Sequence, residues 1–503
     1  MSNLYKLILL SAALGITMLV SACTTSQSIS PLVSTVAPST TAVPLSPTGS
    51  PTLTTTALPT LPVTATAEPT ITPTDTPTTP LTPEPTPTAT ITPTRVSTIN
   101  LSACATIWEP GIYTLVSNIK TTGYDCFYIQ SHNVVLDCNG HSIEGSNYNG
   151  HGVFIRKWGF PFQETPTNVE VRNCKVFHHR TGIFVGGGNN IYLHHNEVSN
   201  NLDTVDKQRF GAFLGLTEGG GLRLDTVKGG RAEYNIANNE AIGIDVRDSD
   251  HIIVQHNTAA GNSAWGISLL NTSYSQVSNN AVRDNIRYCT WGDGTIGRGC
   301  DAGAIILHDG ASHNVVSENT ITGDNGNGIF IKAHGSRCGD DNLIQNNKIT
   351  DAVYNAIEFS FCTGNRVIGN EITGSYDAVW FGFSFNTEIR NNVIRNMNNH
   401  GIISYNSRDS IVADNQITNS REGIYFYWEG WDPKRFYFLT PTPDNFASRN
   451  NLITNNTLRD NNVAGIHLSN SVQNRLTGNT FVNNAKTIWL EGKTEGTVTS
   501  NGP

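Results

Sequence analysis

The chain has 503 residues and a formal net charge of −9 at pH 7, with no cluster of basic residues. That balance argues against nucleic acid as a partner. Charged and aromatic residues are nearly missing between Thr24 and Thr98, so this stretch is read apart from the rest.

The chain opens with Met1 to Lys6, an apolar run from Leu7 to Val20, and then Val20-Ser21-Ala22-Cys23. A charged start, a short apolar core and small residues describe a secretory signal, too short to span a membrane. The tetrad ending in Cys23 resembles the lipobox of bacterial lipoproteins. The resemblance implies that residues 1–22 are a signal peptide removed before Cys23, with diacylglycerol on the thiol. The protein is then anchored to a membrane at the cell envelope or surface, not spanning it. Thr24 follows the Cys, so nothing there resembles an inner-membrane retention signal. Residues 23–98 are almost entirely Thr, Pro, Ser, Ala and Val and cannot bury a core, which predicts a disordered stalk. At about 3.1 Å per residue in polyproline form it reaches on the order of 200 Å.

Residues 99–503 carry a repeat. Twelve asparagines mark it: Asn173, Asn196, Asn235, Asn257, Asn280, Asn319, Asn347, Asn370, Asn392, Asn415, Asn456 and Asn479. Seven of the eleven gaps are 22 or 23 residues, and the others (39, 39, 28, 41) read as one repeat plus an insertion. A fixed period of this size signals a solenoid. Asn tolerates the left-handed conformation of a tight corner, and its amide can bond the same amide one coil away. Each repeat holds three short apolar runs. One is Gly-Ile-x-Val, as in Gly243-Ile244-Asp245-Val246; a second is like Asn190-Ile191-Tyr192-Leu193; the third follows the ladder Asn, as in Asn370-Glu371-Ile372. Alternation with period two marks strands. Stacking like strands from successive coils gives parallel sheets around an apolar tube. The expected fold is all-β, a right-handed parallel β-helix of about 13 coils, monomeric.

The pattern resembles the right-handed parallel β-helix repeat family. The opening, Cys104 through Pro110-Gly111, Tyr113 and Leu115 to Asn133, Asp137-Cys138-Asn139-Gly140-His141 and Ile143, is similar to the first coils of NosD-like surface proteins. The resemblance covers Ser97 to about Val498. It implies the fold firmly and the function weakly, because the family spans polysaccharide lyases, glycoside hydrolases, epimerases, binding proteins and a periplasmic protein of copper-site maturation. The paired-Asp and Gly-His-Gly motifs of polygalacturonases are missing, as are Tyr-Gly-x-Asp-Pro-His of mannuronan epimerases and the acidic loops of pectate lyase calcium sites.

Eight Cys lie in the repeat region, an even number that in an exported chain favours disulfides. Cys289–Cys300 and Cys338–Cys362 are the first expected pairs, then Cys104–Cys126 and Cys138–Cys174. No paired C-x-x-C spacing offers a metal site. His178-His179 and His194-His195 fall at different places in their repeats and do not form one copper site. No cofactor is implied.

The insertions flank the Gly-Ile sheet. Residues 201–220 and 285–302 precede a Gly-Ile strand; 156–167, 332–341 and 427–449 follow one. Solenoids grow insertions on the binding face, so two walls make a groove over this sheet. Positions two and four after the Gly point outward. They give a charged half, Arg223, Asp225, Asp245 and Arg247, readable either as a substrate-binding cluster or as a surface ion-pair lattice. Next come His308, Asp309, Lys332 and Glu358, the candidate catalytic residues. Glu358 and Asp309 stand two coils apart, roughly 9.6 Å at the backbone, near the carboxylate separation of inverting glycosidases. Lys332 or His308 could instead abstract a proton beside a uronate carboxylate. An aromatic half follows: Trp380, Tyr405, Tyr425, Tyr427 and Trp428, with Trp431, Phe436, Tyr437 and Phe438 in the last insertion. Rings with polar tips suit a surface part apolar and part wet, as sugars require. Three functions remain open: a cell-surface hydrolase or lyase acting on a polysaccharide, a non-catalytic glycan-binding or adhesion module, and a NosD-like metal-maturation protein, which the stalk and anchor fit poorly.

Overall fold

The computed structural model describes residues 98–501, apart from 157–164, 202–219, 286–287, 291–295, 299–302, 324–325, 333–337 and 430–447. The expected signal peptide, the stalk up to residue 97, the lipid site at Cys23, the Cys289–Cys300 pair and most of the insertions lie outside the described residues or their described side chains.

Each coil has three short strands, and each strand pairs in parallel with its counterpart on the next coil. Asp377–Gly382, Glu388–Arg390 and Val393–Arg395 form one coil. They pair with His400–Tyr405, Ile411–Ala413 and Gln416–Thr418 of the next. The third sheet alone stacks 14 strands, and no helix occurs among the described residues. This is the right-handed parallel β-helix that the repeat predicts.

Period-two alternation sends one set of side chains into the tube. Along the Gly-Ile sheet the inner row runs Ile305, Ile329, Ile357, Val379, Ile402, Ile424 and Ile466, in register and fully buried. Burying each stabilises by about 2 kcal/mol relative to exposure. The motif's glycine answers a close approach between coils: a Cβ on Gly423 would stand 2.6 Å from the Gly465 carbonyl oxygen.

The asparagine ladder forms, with two corrections. From Asn196 to Asn479 each side-chain amide donates to the next carboxamide oxygen, at 2.9 Å from Asn392 to Asn415 and 3.0 Å from Asn370 to Asn392. Asn173 is not a rung. Cys174 takes that place, its backbone N–H bonding Asn196 Oδ1 at 3.1 Å. Nor do the rungs take the left-handed turn. The residue before each one does, as in His195, Tyr234 and Asn391 with φ of 53°, 55° and 58°. A second polar ladder, Asn201, Glu240, Asn262 and Asn285, stands at the corner before the Gly-Ile strands.

Three expected disulfides are present: Cys104–Cys126, Cys138–Cys174 and Cys338–Cys362. Each joins neighbouring coils and closes a loop of 22 to 36 residues, which constrains the unfolded chain by about 3 kcal/mol apiece.

Candidate functional site on the Gly-Ile sheet

Strand register places most of the sequence-predicted residues. In the charged half, Arg223 lies beside Asp245 and Asp225 beside Arg247 on the next coil. Within strands, Arg223 Nη2 meets Asp225 Oδ2 at 3.1 Å and Arg247 Nε meets Asp245 Oδ2 at 2.6 Å. Each charge therefore has an opposite neighbour along its strand and across the coils, the arrangement of an ion-pair lattice.

The next four residues do not share one setting. His308 points off the sheet but is fully buried, with Nε2 3.0 Å from Ser268 Oγ and its ring 5.7 Å from that of Trp265. Trp265, Ile306, Phe330, Ile242 and Ala264 form a small apolar cluster there, outside the tube. The outward row thus does not mean an open row. Asp309 takes the left-handed corner, with φ 54°. Lys332 pairs in register with His308, half-buried, its ammonium 5.5 Å from the Phe330 ring centre. Glu358 is one coil further, in the adjacent row, and accepts a 2.7 Å bond from Asn355 Nδ2.

The aromatic half is compact. Tyr405 is buried, while Trp380, Tyr425, Tyr427 and Trp428 are half-buried. Tyr405, Tyr427, Tyr425, His467 and Trp489 stack in that order at 4.6, 4.8, 4.5 and 3.9 Å between centres. Lys486 caps the far face of Trp489 at 3.6 Å. Tyr405 Oη donates to Glu429 Oε2 at 3.0 Å. Trp431, Phe436, Tyr437 and Phe438 lie outside the described residues.

Against this column runs a chain that the sequence reading missed. Asp377, His400, Glu422, His467 and Glu491 stand on successive coils, acid alternating with imidazole. His400 Nδ1 is 2.8 Å from Asp377 Oδ1, and its Nε2 is 3.3 Å from Glu422 Oε2. His467 Nδ1 is 3.2 Å from Glu422 Oε1, and its Nε2 is 3.2 Å from Glu491 Oε2. Asp377, His400, Glu422 and His467 are each at most 4% exposed, whereas the Glu491 side chain is 53% exposed. Burial pushes Glu422 up, but bonds and charge from both imidazoles outweigh it and hold the carboxyl at about 2. Burial lowers His400, and its bonds to Asp377 and Glu422 outweigh that and raise it above the usual imidazole value. Burial, with the charge of Glu422, pushes Tyr425 up to about 12. The chain thus alternates acid and imidazole, from a buried end at Asp377 to Glu491 in solvent.

Among the described residues, Cys338, Asp340 and Cys362 gather three donor atoms within 4.8 Å of one another. The two sulfurs are joined as a disulfide and are not thiolate ligands.

The family profile described as right handed beta helix region matches residues 107–282 and 333–502, more than half of the sequence. The chain belongs to the right-handed β-helix family. A second profile, periplasmic copper-binding protein (NosD), matches residues 216–366. Among curated proteins, none matches this sequence. Similar solved structures include the A-module of the Azotobacter vinelandii mannuronan C-5 epimerase AlgE6 (14% identity, TM-score 0.44, 78% of this chain and 91% of that one). The AlgE4 A-module of the same organism gives 13%, 0.42, 77% and 91%. The Dettilon tailspike protein gives 13%, 0.44, 65% and 61%. At these scores the likeness carries nothing about activity.

Proposed function

We propose that the chain is an exported polysaccharide-interacting protein that lays a glycan across the outer face of the Gly-Ile sheet, from Lys332 and Glu358 to Trp489. One observation carries the reading: on successive strands of one face, partly exposed rings stand beside fixed carboxylates and imidazoles. Such a surface matches a sugar, apolar on its faces and hydroxylated at its edges. In this reading Arg223, Asp225, Asp245 and Arg247 hold coils together, and Trp380, Tyr425, Tyr427 and Trp428 line the track. Cys23 tethers the protein to a membrane, and Cys23→Ser moves it to the soluble fraction. The test is affinity electrophoresis through neutral, amino and uronic glycans. At least one gel retards the protein, and Trp380→Ala weakens that retardation about tenfold. Migration unchanged in every gel refutes the reading.

The alternating chain favours a second reading, catalysis. Glu422 and His400, both shifted from their ordinary values beside a binding surface, are the kinds of group that acid–base steps on a sugar use. Its decisive result is new reducing ends or unsaturated uronate product from a bound glycan, abolished by Glu422→Gln with binding intact. Binding without product leaves the non-catalytic module.

A further inference from the structure

The rings of the aromatic column spend their faces on one another, at interplanar angles of 19°, 9°, 18° and 3°. What they turn outward is edges. Stacking against a sugar needs an open face, so the column lines the track with its edges and is not the stacking platform. Trp380 is placed differently. The position two residues after it, filled by Lys332, Ser360, Tyr405 and Tyr427 on neighbouring coils, is Gly382. A Cβ on Gly382 would meet Trp380 Cη2 at 2.6 Å, Cζ3 at 3.1 Å and Cζ2 at 3.2 Å. The flanking carbons are only slightly farther than Cη2, so that Cβ would rise over the ring's face, not its edge. Gly382 has no left-handed φ. The backbone does not demand glycine there; the indole does. One face of Trp380 is laid on its own strand, part of the indole packs against the Phe383–Tyr405 cluster, and the residue stays half-buried. The registered neighbours are Glu358 on one side and the buried Ile403 on the other.

We propose that Trp380 is the sugar-stacking platform and Gly382 the residue that seats it. The preferred ring is a neutral or amino pyranose whose edge donates to the Glu358 carboxylate, in place of a uronate. This rests on the polysaccharide reading above. The test is calorimetry of neutral, amino and uronic oligosaccharides with wild type, Trp380→Ala, Gly382→Ala and the double variant. Oxidation of Trp380 by N-bromosuccinimide, read by mass spectrometry, and a thermal melt accompany it. Gly382→Ala is expected to melt like wild type, to bind about tenfold more weakly and to oxidise faster at Trp380. The double variant should bind no worse than Trp380→Ala alone, because the two changes remove one feature. Binding unchanged in Gly382→Ala, or unchanged oxidation, overturns the seat while the wider reading stands. A uronate binding more tightly than neutral and amino sugars overturns the ligand class. No binding to wild type overturns both this site and the reading beneath it. If Gly382→Ala alone does not fold, the double variant decides: it must fold, since its indole is gone, and failure to do so overturns the seat.

Discussion

Two polar ladders climb these coils on opposite principles. The asparagine ladder is built of identical neutral rungs, each amide both donating and accepting. Nothing in it changes with protonation, and every rung is satisfied by its copy. The ladder from Asp377 to Glu491 is built of unlike rungs, and its contacts hold only while acids are ionised and imidazoles carry the right protons. A fold can be held by the first kind over any length. The second kind runs along the outer face, where chemistry with a ligand is possible.

The sharpest way to break the comparison is to remove one rung from each ladder. Asn392 accepts from the Asn370 backbone N–H and side-chain amide, and donates to the Val367 carbonyl and to Asn415 Oδ1. Asn392→Ala strips partners from several buried groups and should cost about 4 kcal/mol at any pH. Urea unfolding measures it; a loss under about 1 kcal/mol would show that the coils hold without the ladder.

Glu422→Gln should cost about 3 kcal/mol near neutrality, and here pH matters. Glu422 is held at about 2, below the ordinary 4.5. Its contribution is present above the unfolded value and lost as pH falls toward 2. His400 is raised above 6.5. Its contribution is full below the unfolded value and lost as pH rises through the folded one. Wild-type stability should therefore peak between these flanks. The variant should flatten the acid flank and weaken the basic one, which keeps only Asp377. Parallel pH curves for the two proteins would remove the outer ladder from the account.

The first ladder was legible in the sequence and the second was not, for a physical reason. Equal rungs repeat at the coil period, so counting finds them. Unequal rungs do not repeat. Asp377, His400 and Glu422 occupy the position just before the Gly or Ala of the motif, while His467 and Glu491 sit further along their strands. The chain crosses the sheet obliquely, and reading only positions two and four leaves its first three members out. His467 sits at position two, so the signal was available there. His308 failed differently: alternation gave its direction correctly, but cover over the outer face comes from packing outside the strand, which period two does not encode.

The smallest predicted effect lies in the other half of the same sheet. The Arg247–Asp245 pair has side chains 11% and 4% exposed, against 22% and 27% for Arg223–Asp225. The lattice looks uniform in sequence and is not uniform in solvent. Asp245→Ala leaves a covered guanidinium without its in-strand partner and should cost about 2 kcal/mol. Asp225→Ala removes a more open pair and should cost about 0.5 kcal/mol, shrinking further in strong salt. Denaturation at low and high salt separates them. Equal costs would mean that both pairs sit in the same dielectric, and a loss of glycan binding on Asp225→Ala without loss of stability would return that residue from the lattice to the binding surface.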